Sequence, residues 1–461
     1  MASRIDTVID HVRGRVARGG LGAGARLPSI RRCAQALGVS ASTVVEAYDR
    51  LAAAGEIASR RGAGFYVAGA RRPVTLAERG PPVERDIDPL WVMRRSIDTG
   101  PDALKPGCGW LPDDWLPVDA LRRALRAEAR GGAAALTSYG ETLGFAPLRD
   151  VLSRRLAERE IAAAPDQILL TDSGTAAIDL LCRLLVRPGE TVLVDDPCYF
   201  NFINTLRAHG ATVVGVPYTR AGPDLEAFAA AAAAHGPRLY LTTGALHNPT
   251  GASPTATTQH RLLGLIQAHD MTVIEDDIFA DFDGEPTPRL AAFDGLERVV
   301  YVGSFSKMVS ASLRCGFIAA KPVWTDALAD LKLATTIGAS DIGARVVHRL
   351  LADGAYRRQA ETVRTRLARA RAETRERLLS AGLRPWTEPR GGLFLWARLP
   401  DGLDAVEVSR RAMASGVVLA PGNVFSVGQT APDYLRFNVA QSPPAVFDVL
   451  AEAIGAERQA R

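Results

Sequence analysis

The sequence predicts two folded regions of different class. A winged helix-turn-helix is expected over residues 1–70. An α/β domain with a mostly parallel central sheet and a smaller α+β subdomain is expected over 107–461. Three observations predict this. The N-terminal stretch is basic and helical and ends in a short hairpin-like segment. Residues 71–106 are rich in Pro, Gly and charge, which marks a linker. Beyond them, helical stretches alternate with short, near-continuous apolar runs. At 461 residues and 47% hydrophobic, the chain is long enough for more than one buried core.

In the first region, Ile5, Val8, Ile9, Val12 and Val16 recur at helical spacing. Pro28 and Ser29 open a second helix with Ile30, Cys33, Ala34 and Leu37 inward, and Gly38 breaks it. Ser40 is placed to cap a third helix carrying Val44, Ala47, Tyr48 and Leu51 on one face, and Gly55 ends it. EIASRRGAGFYVAG then reads as two short strands around RRGAG.

Within the linker, WVMRRSI suggests a docked helical turn or more. The large region begins with the helical stretch VDALRRALRAEAR. Strands are expected at QILLTD, TVLVDD, TVVGVPY, RLYLTTG, TVIEDD and VVYVGS, several of them ending in polar residues. That pattern fits a parallel sheet buried on both faces. After a helix-rich 322–381, the runs GGLFLWARLP, GVVLAPG and YLRFNVA point to the smaller subdomain.

Bulk properties exclude several classes. No apolar run is long enough to cross a bilayer, and MASRIDTVIDHVRGR lacks the apolar stretch of a signal peptide, so a cytoplasmic location without a membrane partner is expected. Cys33, Cys108, Cys182, Cys198 and Cys315 are odd in number and widely spaced, which argues against a disulfide framework or a zinc site. The net charge of +4 conceals an asymmetry: residues 1–72 carry +7 and the remainder −3. A basic N-terminal region suggests a nucleic-acid partner.

In a helix-turn-helix the second helix enters the major groove of double-stranded DNA, with its first residues at base edges. Here that end carries Ser40, Ser42 and Thr43. Arg26, Arg31 and Arg32 flank the preceding helix. Arg60 and Arg61 stand at the expected wing tip, where Gly62 and Gly64 allow a tight turn. The stretch RLPSIRRCAQALGVSASTVVEAYDRLAAAGEIASRRGAGFYV resembles the winged helix of the GntR family. The resemblance implies Arg31 and the Ser40–Thr43 turn as DNA contacts, with the Arg60–Gly64 tip beside them, and Arg26 is placed where phosphates would run. One departure is Ala41, where the family often has Arg.

Five stretches of the large region carry the groups that pyridoxal 5'-phosphate (PLP) requires: a lysine, an acid for the ring nitrogen, a phosphate cup and a flat stacking surface. Only four lysines occur in the chain, and Lys307 follows a strand in YVGSFSKMVSASLRCGF, with Ser304 and Ser306 before it and Arg314 after it. Asp276 ends a strand in TVIEDDIFADF. Glu275, Asp276, Asp277 and Asp281 could also gather a cation, but no histidine or ligand spacing supports a metal. TDSGTAAIDLL runs from a strand through Ser173, Gly174 and Thr175 into a helix, and a helix N-terminus favours an anion. ALHNPTG sets Asn248 before a rigid turn, and DDPCYFN offers Tyr199 as a plane. Each fragment alone is commonplace. Together, in this order, they resemble the fold-type I aminotransferases.

That resemblance implies Lys307 as the Schiff-base residue, Asp276 at the pyridine nitrogen, Asn248 at the phenolic oxygen and Tyr199 stacked on the ring. It implies Ser173, Gly174, Thr175, Ser304, Ser306 and Arg314 around the phosphate. Tyr139 in TSYGETLGF resembles a tyrosine that reaches the neighbouring subunit's phosphate, and Arg436 in YLRFNVA resembles the arginine that clamps a substrate α-carboxylate. A second departure lies at Ile278 and Phe279, where related domains carry a tyrosine bonded to the phenolic oxygen.

The two halves together resemble the MocR family of bacterial regulators. This implies a homodimer that binds DNA and senses PLP or a small amino compound, which would displace Lys307 and set its acid group on Arg436. Two alternatives are an active aminotransferase working on 2-amino and 2-oxo acids, and a regulator whose large domain no longer binds PLP.

Overall fold

The computed structural model describes residues 4–460 except 18–20, 22–23, 55, 61–63, 68–88, 101, 133, 285–286 and 339. The chain divides into two compact units, 1–84 and 85–461. The first unit holds helices α1 (Arg4–Ala17), α2 (Ile30–Leu37) and α3 (Ala41–Ala53) and strands β1 (Ile57–Arg60) and β2 (Gly64–Val67). The apolar spacing read from the sequence closes one small core: Val8, Val12, Cys33, Val44, Ala47, Tyr48 and Leu51 are all buried together. Val16 is the exception, exposed at the end of α1. Ser29 and Ser40 cap α2 and α3 by accepting the backbone N–H of Arg32 and Thr43, and Gly38 closes α2 with a left-handed φ of 62°. The expected hairpin forms, with Ile57 opposite Val67 and Arg60 opposite Gly64. Gly55 and the tip residues 61–63 lie outside the described residues.

The stretch WVMRRSI forms a helix, α4 (Pro89–Asp98), longer than the single turn that was its least expectation. It belongs to the large unit and packs there. The sheet of that unit contains β3 (Ile168–Thr171), β4 (Thr191–Asp196), β5 (Thr212–Thr219), β6 (Gly222–Pro223), β7 (Leu239–Thr243), β8 (Thr272–Asp276), β9 (Val299–Ser304) and β10 (Gly316–Ala319). Their order is β3-β10-β9-β8-β7-β4-β5-β6. The centre is parallel, as the doubly buried apolar runs require. β10 runs antiparallel between β3 and β9, and its short run GFIA was absent from the expected strands. The smaller subdomain holds β11 (Arg384–Pro385), β12 (Phe394–Arg398), β13 (Ala420–Pro421) and β14 (Tyr434–Asn438), antiparallel in the order β11-β12-β14-β13. Among the described residues no helix is long and apolar enough to cross a membrane, and all five cysteines are buried and unpaired.

Candidate cofactor pocket and DNA-facing helix

Open α/β sheets place ligands at the carboxyl ends of their strands. Here Ser173 and Gly174 follow β3, Asp276 ends β8, Ser304 ends β9, and Lys307 lies three residues further on. The fold brings Ser173, Gly174, Thr175, Tyr199, Asp276, Ser304, Ser306, Lys307 and Arg314 around one cavity of about 130 Å³. These residues come from four separated stretches, and only the sheet order unites them.

The cavity's chemistry follows from burial. With little water to solvate a charge, the Lys307 amine is pushed down to about 8, helped by the nearby Arg436 and Arg314 guanidinium groups. Burial raises the Asp276 carboxyl to about 7, although one of its oxygens accepts the backbone N–H of Ile278 at 3.2 Å. Burial also lifts the Tyr199 hydroxyl to about 12, so the ring stays neutral. Ser173 caps the helix Gly174–Leu185 by accepting the Ala176 N–H at 3.0 Å. The first N–H groups of a helix lack partners within it, and they face anions favourably. Space is tight at Gly174, where a methyl would stand 3.0 Å from Ile278 Cγ2 and push that side chain aside. Across the strands, Gly316 is required by space, since its Cβ would fall 2.6 Å from the Ser173 carbonyl carbon. Ser304 donates to Ser306 at 3.1 Å. Arg314 holds a left-handed φ of 51° and reaches the cavity from an exposed position.

Beside the cavity stands Arg436, on β14 and 2% exposed. Its Nη1 donates to Asn248 Oδ1 at 2.8 Å and its Nη2 to the Gly107 carbonyl at 2.6 Å. Its Nε is buried without a partner. The guanidinium is flanked by the Phe394 and Phe425 rings at 4.4 and 4.7 Å, and burial lowers its pKa to about 10. A buried cation with a free donor favours an incoming anion.

The other carboxylates of the acidic run are engaged in structure. Glu275 accepts the Leu290 and Ala291 N–H groups at 2.9 Å each. Asp277 accepts Arg289 Nε at 2.6 Å and the Tyr301 hydroxyl at 2.8 Å. Asp281 accepts Arg155 and Arg159 at 2.7 and 2.8 Å. Tyr139 is 84% exposed and does not line its own chain's cavity. Sequence reasoning missed Asn201 and Thr205, which line the cavity from the helix after Tyr199. Helical spacing from Tyr199 would have found them. It also missed Phe394, Phe425 and the Gly107 carbonyl, for which no local signal exists. A larger cleft of about 480 Å³ opens elsewhere, around Arg298, Asp270 and Thr272 at the strands' opposite ends. Its Arg298–Asp270 pair is closed at 2.7 Å, and it gathers no comparable set of reactive groups.

In the small unit, Arg31, Ser40 and Ser42 are exposed, and Thr43 is half-buried. The hydroxyls of Ser42 and Thr43 both bond to Ser40 Oγ, at 2.9 and 2.7 Å, so the cap and the N-terminal end of α3 are one network. Arg26 pairs with Tyr66 beside the hairpin, with its Nε 3.5 Å from where a Cβ on Gly64 would stand. The Arg60 side chain, Arg61 and Gly62 lie outside the described residues.

The family model for aminotransferase class I and II matches residues 111–454. The chain belongs to that family. Residues 4–67 match the gntR family of bacterial regulatory proteins, so the architecture is of the MocR type, a GntR helix-turn-helix domain followed by an aminotransferase domain. The chain is 29% identical over 446 residues to "Uncharacterized HTH-type transcriptional regulator YdcR" of Escherichia coli, covering 94% of each. It is 29% identical to "Probable rhizopine catabolism regulatory protein MocR" of Rhizobium meliloti, over 89% of this chain and 85% of that one. It is 30% identical to the 2-aminoadipate transaminase of Thermus thermophilus, over 71% of this chain and 83% of that one. Among solved structures, the α-aminoadipate aminotransferase LysN of Thermus thermophilus, complexed with N-(5'-phosphopyridoxyl)-L-leucine, superposes with a TM-score of 0.73 at 27% identity. That match covers 80% of this chain and 96% of LysN.

Proposed function

We propose that the protein is a PLP-dependent transcriptional regulator of the cytoplasm. It binds double-stranded DNA through its GntR-type domain and senses PLP or an amino compound in its aminotransferase-like domain. The observation that carries this reading is Lys307 and Asp276 facing one cavity in a chain whose other unit exposes a capped helix-turn-helix. The residues fit the cofactor. A lysine of lowered pKa, a carboxylate, a helix N-terminus, four hydroxyls and Arg314 are the donors and acceptors that an aldehyde, a pyridine nitrogen and a phosphate require.

When bound, PLP supplies an electron sink and an aldehyde that condenses with amines. This chain's residues do the rest. With its pKa near 8, Lys307 keeps part of its amine neutral and nucleophilic at physiological pH. Asp276 would hold the ring nitrogen, and a proton there would favour the ionised carboxylate against the burial that opposes it. Tyr199 would cover a face of the ring, and Asn248, its Oδ1 held by Arg436, keeps its Nδ2 for an oxygen acceptor. Ser173, Thr175, Ser304, Ser306 and Arg314 would hold the phosphate. The free Nε of Arg436 would donate to an effector's carboxylate, and the flanking phenyl rings keep water away.

Self-association completes the reading. Leu136, Tyr139 and Ile342 line one open cleft and are 51%, 84% and 37% exposed, and Ile337 nearby is 59% exposed. Exposed apolar groups gathered this way suit a partner, and a second copy of the chain would bring Tyr139 to its neighbour's phosphate. Sedimentation of the purified protein tests the dimer.

Two measurements test the function. Borohydride reduction of the PLP-loaded protein should add a phosphopyridoxyl mass to the peptide bearing Lys307, and sequencing of genomic DNA recovered with the protein should yield discrete sites. Loss of either result removes that half of the reading. An active aminotransferase is the second reading, favoured by the complete Lys307–Asp276–Arg436 set. Multiple turnovers with amino donors and 2-oxo acids would establish it.

A further inference from the structure

α4 is the first described element of the large unit, and it packs on the helix Phe200–Ala208 that follows Tyr199. Val92 is 1% exposed and buried against Phe200, Val424 and Phe425, with Tyr199 at the edge of the same cluster. Ring follows ring through that cluster. Tyr199 and Phe200 lie 4.9 Å apart, Phe200 and Phe425 lie 5.4 Å apart, and Phe425 sits 4.7 Å from the Arg436 guanidinium. At one end of this row Tyr199 lines the cofactor cavity, at the other Phe425 flanks Arg436, and Val92 is buried in the same cluster.

A second tie binds the same segment. Lys105 Nζ donates to the Thr99 carbonyl at 2.7 Å, just past the end of α4. Leu104 pairs with the strand-like run 416–418, accepting the Val418 N–H at 2.8 Å and donating to the Gly416 carbonyl at 3.0 Å. Three residues on, the Gly107 carbonyl accepts Arg436 Nη2 at 2.6 Å. The stretch from α4 to Gly107 therefore touches both halves of the pocket, and its N-terminal end continues covalently into the chain that leads to the DNA-binding unit.

We propose that α4 is the coupling element of this protein, the part through which occupancy of the pocket is passed to the linker. The inference rests on PLP being the occupant, as under Proposed function. PLP held against Tyr199 restrains that ring, then Phe200, and then the surface on which Val92 is seated. Packed interiors transmit such restraint because they leave little free space. The restrained α4 changes the DNA affinity of the whole chain only if PLP favours one of its arrangements over another.

The test uses the full-length protein stripped of PLP and then reloaded with PLP alone, on a duplex recovered from genomic DNA. In the wild type, loading should slow amide hydrogen exchange over 89–98 and shift DNA affinity, each by about fivefold or more, the low end of allosteric coupling. In Val92→Ala both effects should fall below about twofold, while PLP content and the DNA affinity of the stripped protein stay unchanged. Lys105→Met, which cuts the tie to Thr99 without touching the apolar cluster, should weaken the DNA response in the same direction and serves if Val92→Ala does not fold. Ile97→Ala, on the exposed side of α4, should behave as wild type. Full responses in both Val92→Ala and Lys105→Met overturn the proposal. So does a DNA response to PLP with no change in exchange over 89–98, or PLP binding with no DNA response at all. Failure of PLP to bind the wild type overturns the functional reading first, and the coupling falls with it.

Discussion

The two units display their functional groups in opposite ways. In the small unit Arg31, Ser40 and Ser42 are exposed, and the core beneath them only fixes the angle of α3. In the large unit Asp276 and Arg436 are nearly inaccessible, at 3% and 2%, and burial perturbs their ionisation and that of Lys307. DNA is a polyanion met at the surface, so its binding is governed by counterions and responds to salt. A small ligand is enclosed, so its binding is governed by desolvation and responds to pH. The same chain should therefore carry two separable dependences, and single substitutions in either unit can strain that separation.

The largest effect is expected from Lys307→Ala. It removes the amine and should abolish the borohydride-trapped mass while leaving the stripped protein's DNA affinity unchanged. A band of PLP absorbance that persists through reduction and denaturation would mean another attachment point. Next is Asp276→Asn, which loses a charged partner for the ring nitrogen. PLP affinity should fall roughly 10- to 100-fold, the worth of one charge-assisted hydrogen bond, as read by equilibrium dialysis. Phe279→Tyr tests the second departure. Phe279 packs edge-on against Phe394 with ring centroids 5.4 Å apart and offers no hydroxyl. Adding one should speed single-turnover amino transfer by roughly tenfold, about one net hydrogen bond, and lower the pH at which the visible band shifts.

The pH dependence follows from Lys307. Its pKa lies below the ordinary value of 10.5, at about 8, because burial disfavours the charged amine. Only the neutral amine attacks an aldehyde. The rate of PLP attachment should therefore rise with pH up to about 8 and level off above it. A rate still climbing at the ordinary lysine value would show that burial does not act as described. The smallest effect is Arg31→Ala, which should lower the slope of log affinity against log salt by about 0.9, one phosphate contact. PLP content should not change.

Much of this was legible in the sequence because the signals are local. The apolar period of α3, the caps at Ser29 and Ser40, and the parallel strands ending at Asp276 and Ser304 each depend on residues within one element. Lys307 stood out because the chain holds only four lysines. β10 escaped notice because GFIA is four residues long and becomes a strand only by pairing with β3 and β9 at once. The surroundings of Arg436 escaped in part for a similar reason. Phe394, Phe425 and Gly107 lie far apart in the chain, and nothing in their neighbourhoods marks them as companions of Arg436.

By itself, the sequence determined the two classes of domain and the order of the chemistry along the chain, since periodicity, caps and motif spacing are properties of contiguous residues. Only the tertiary structure decided which groups share a cavity, how far burial moves Lys307 and Asp276, and that a helix from the linker region seats Val92 behind the pocket wall. Desolvation and packing depend on what the rest of the chain places around a side chain.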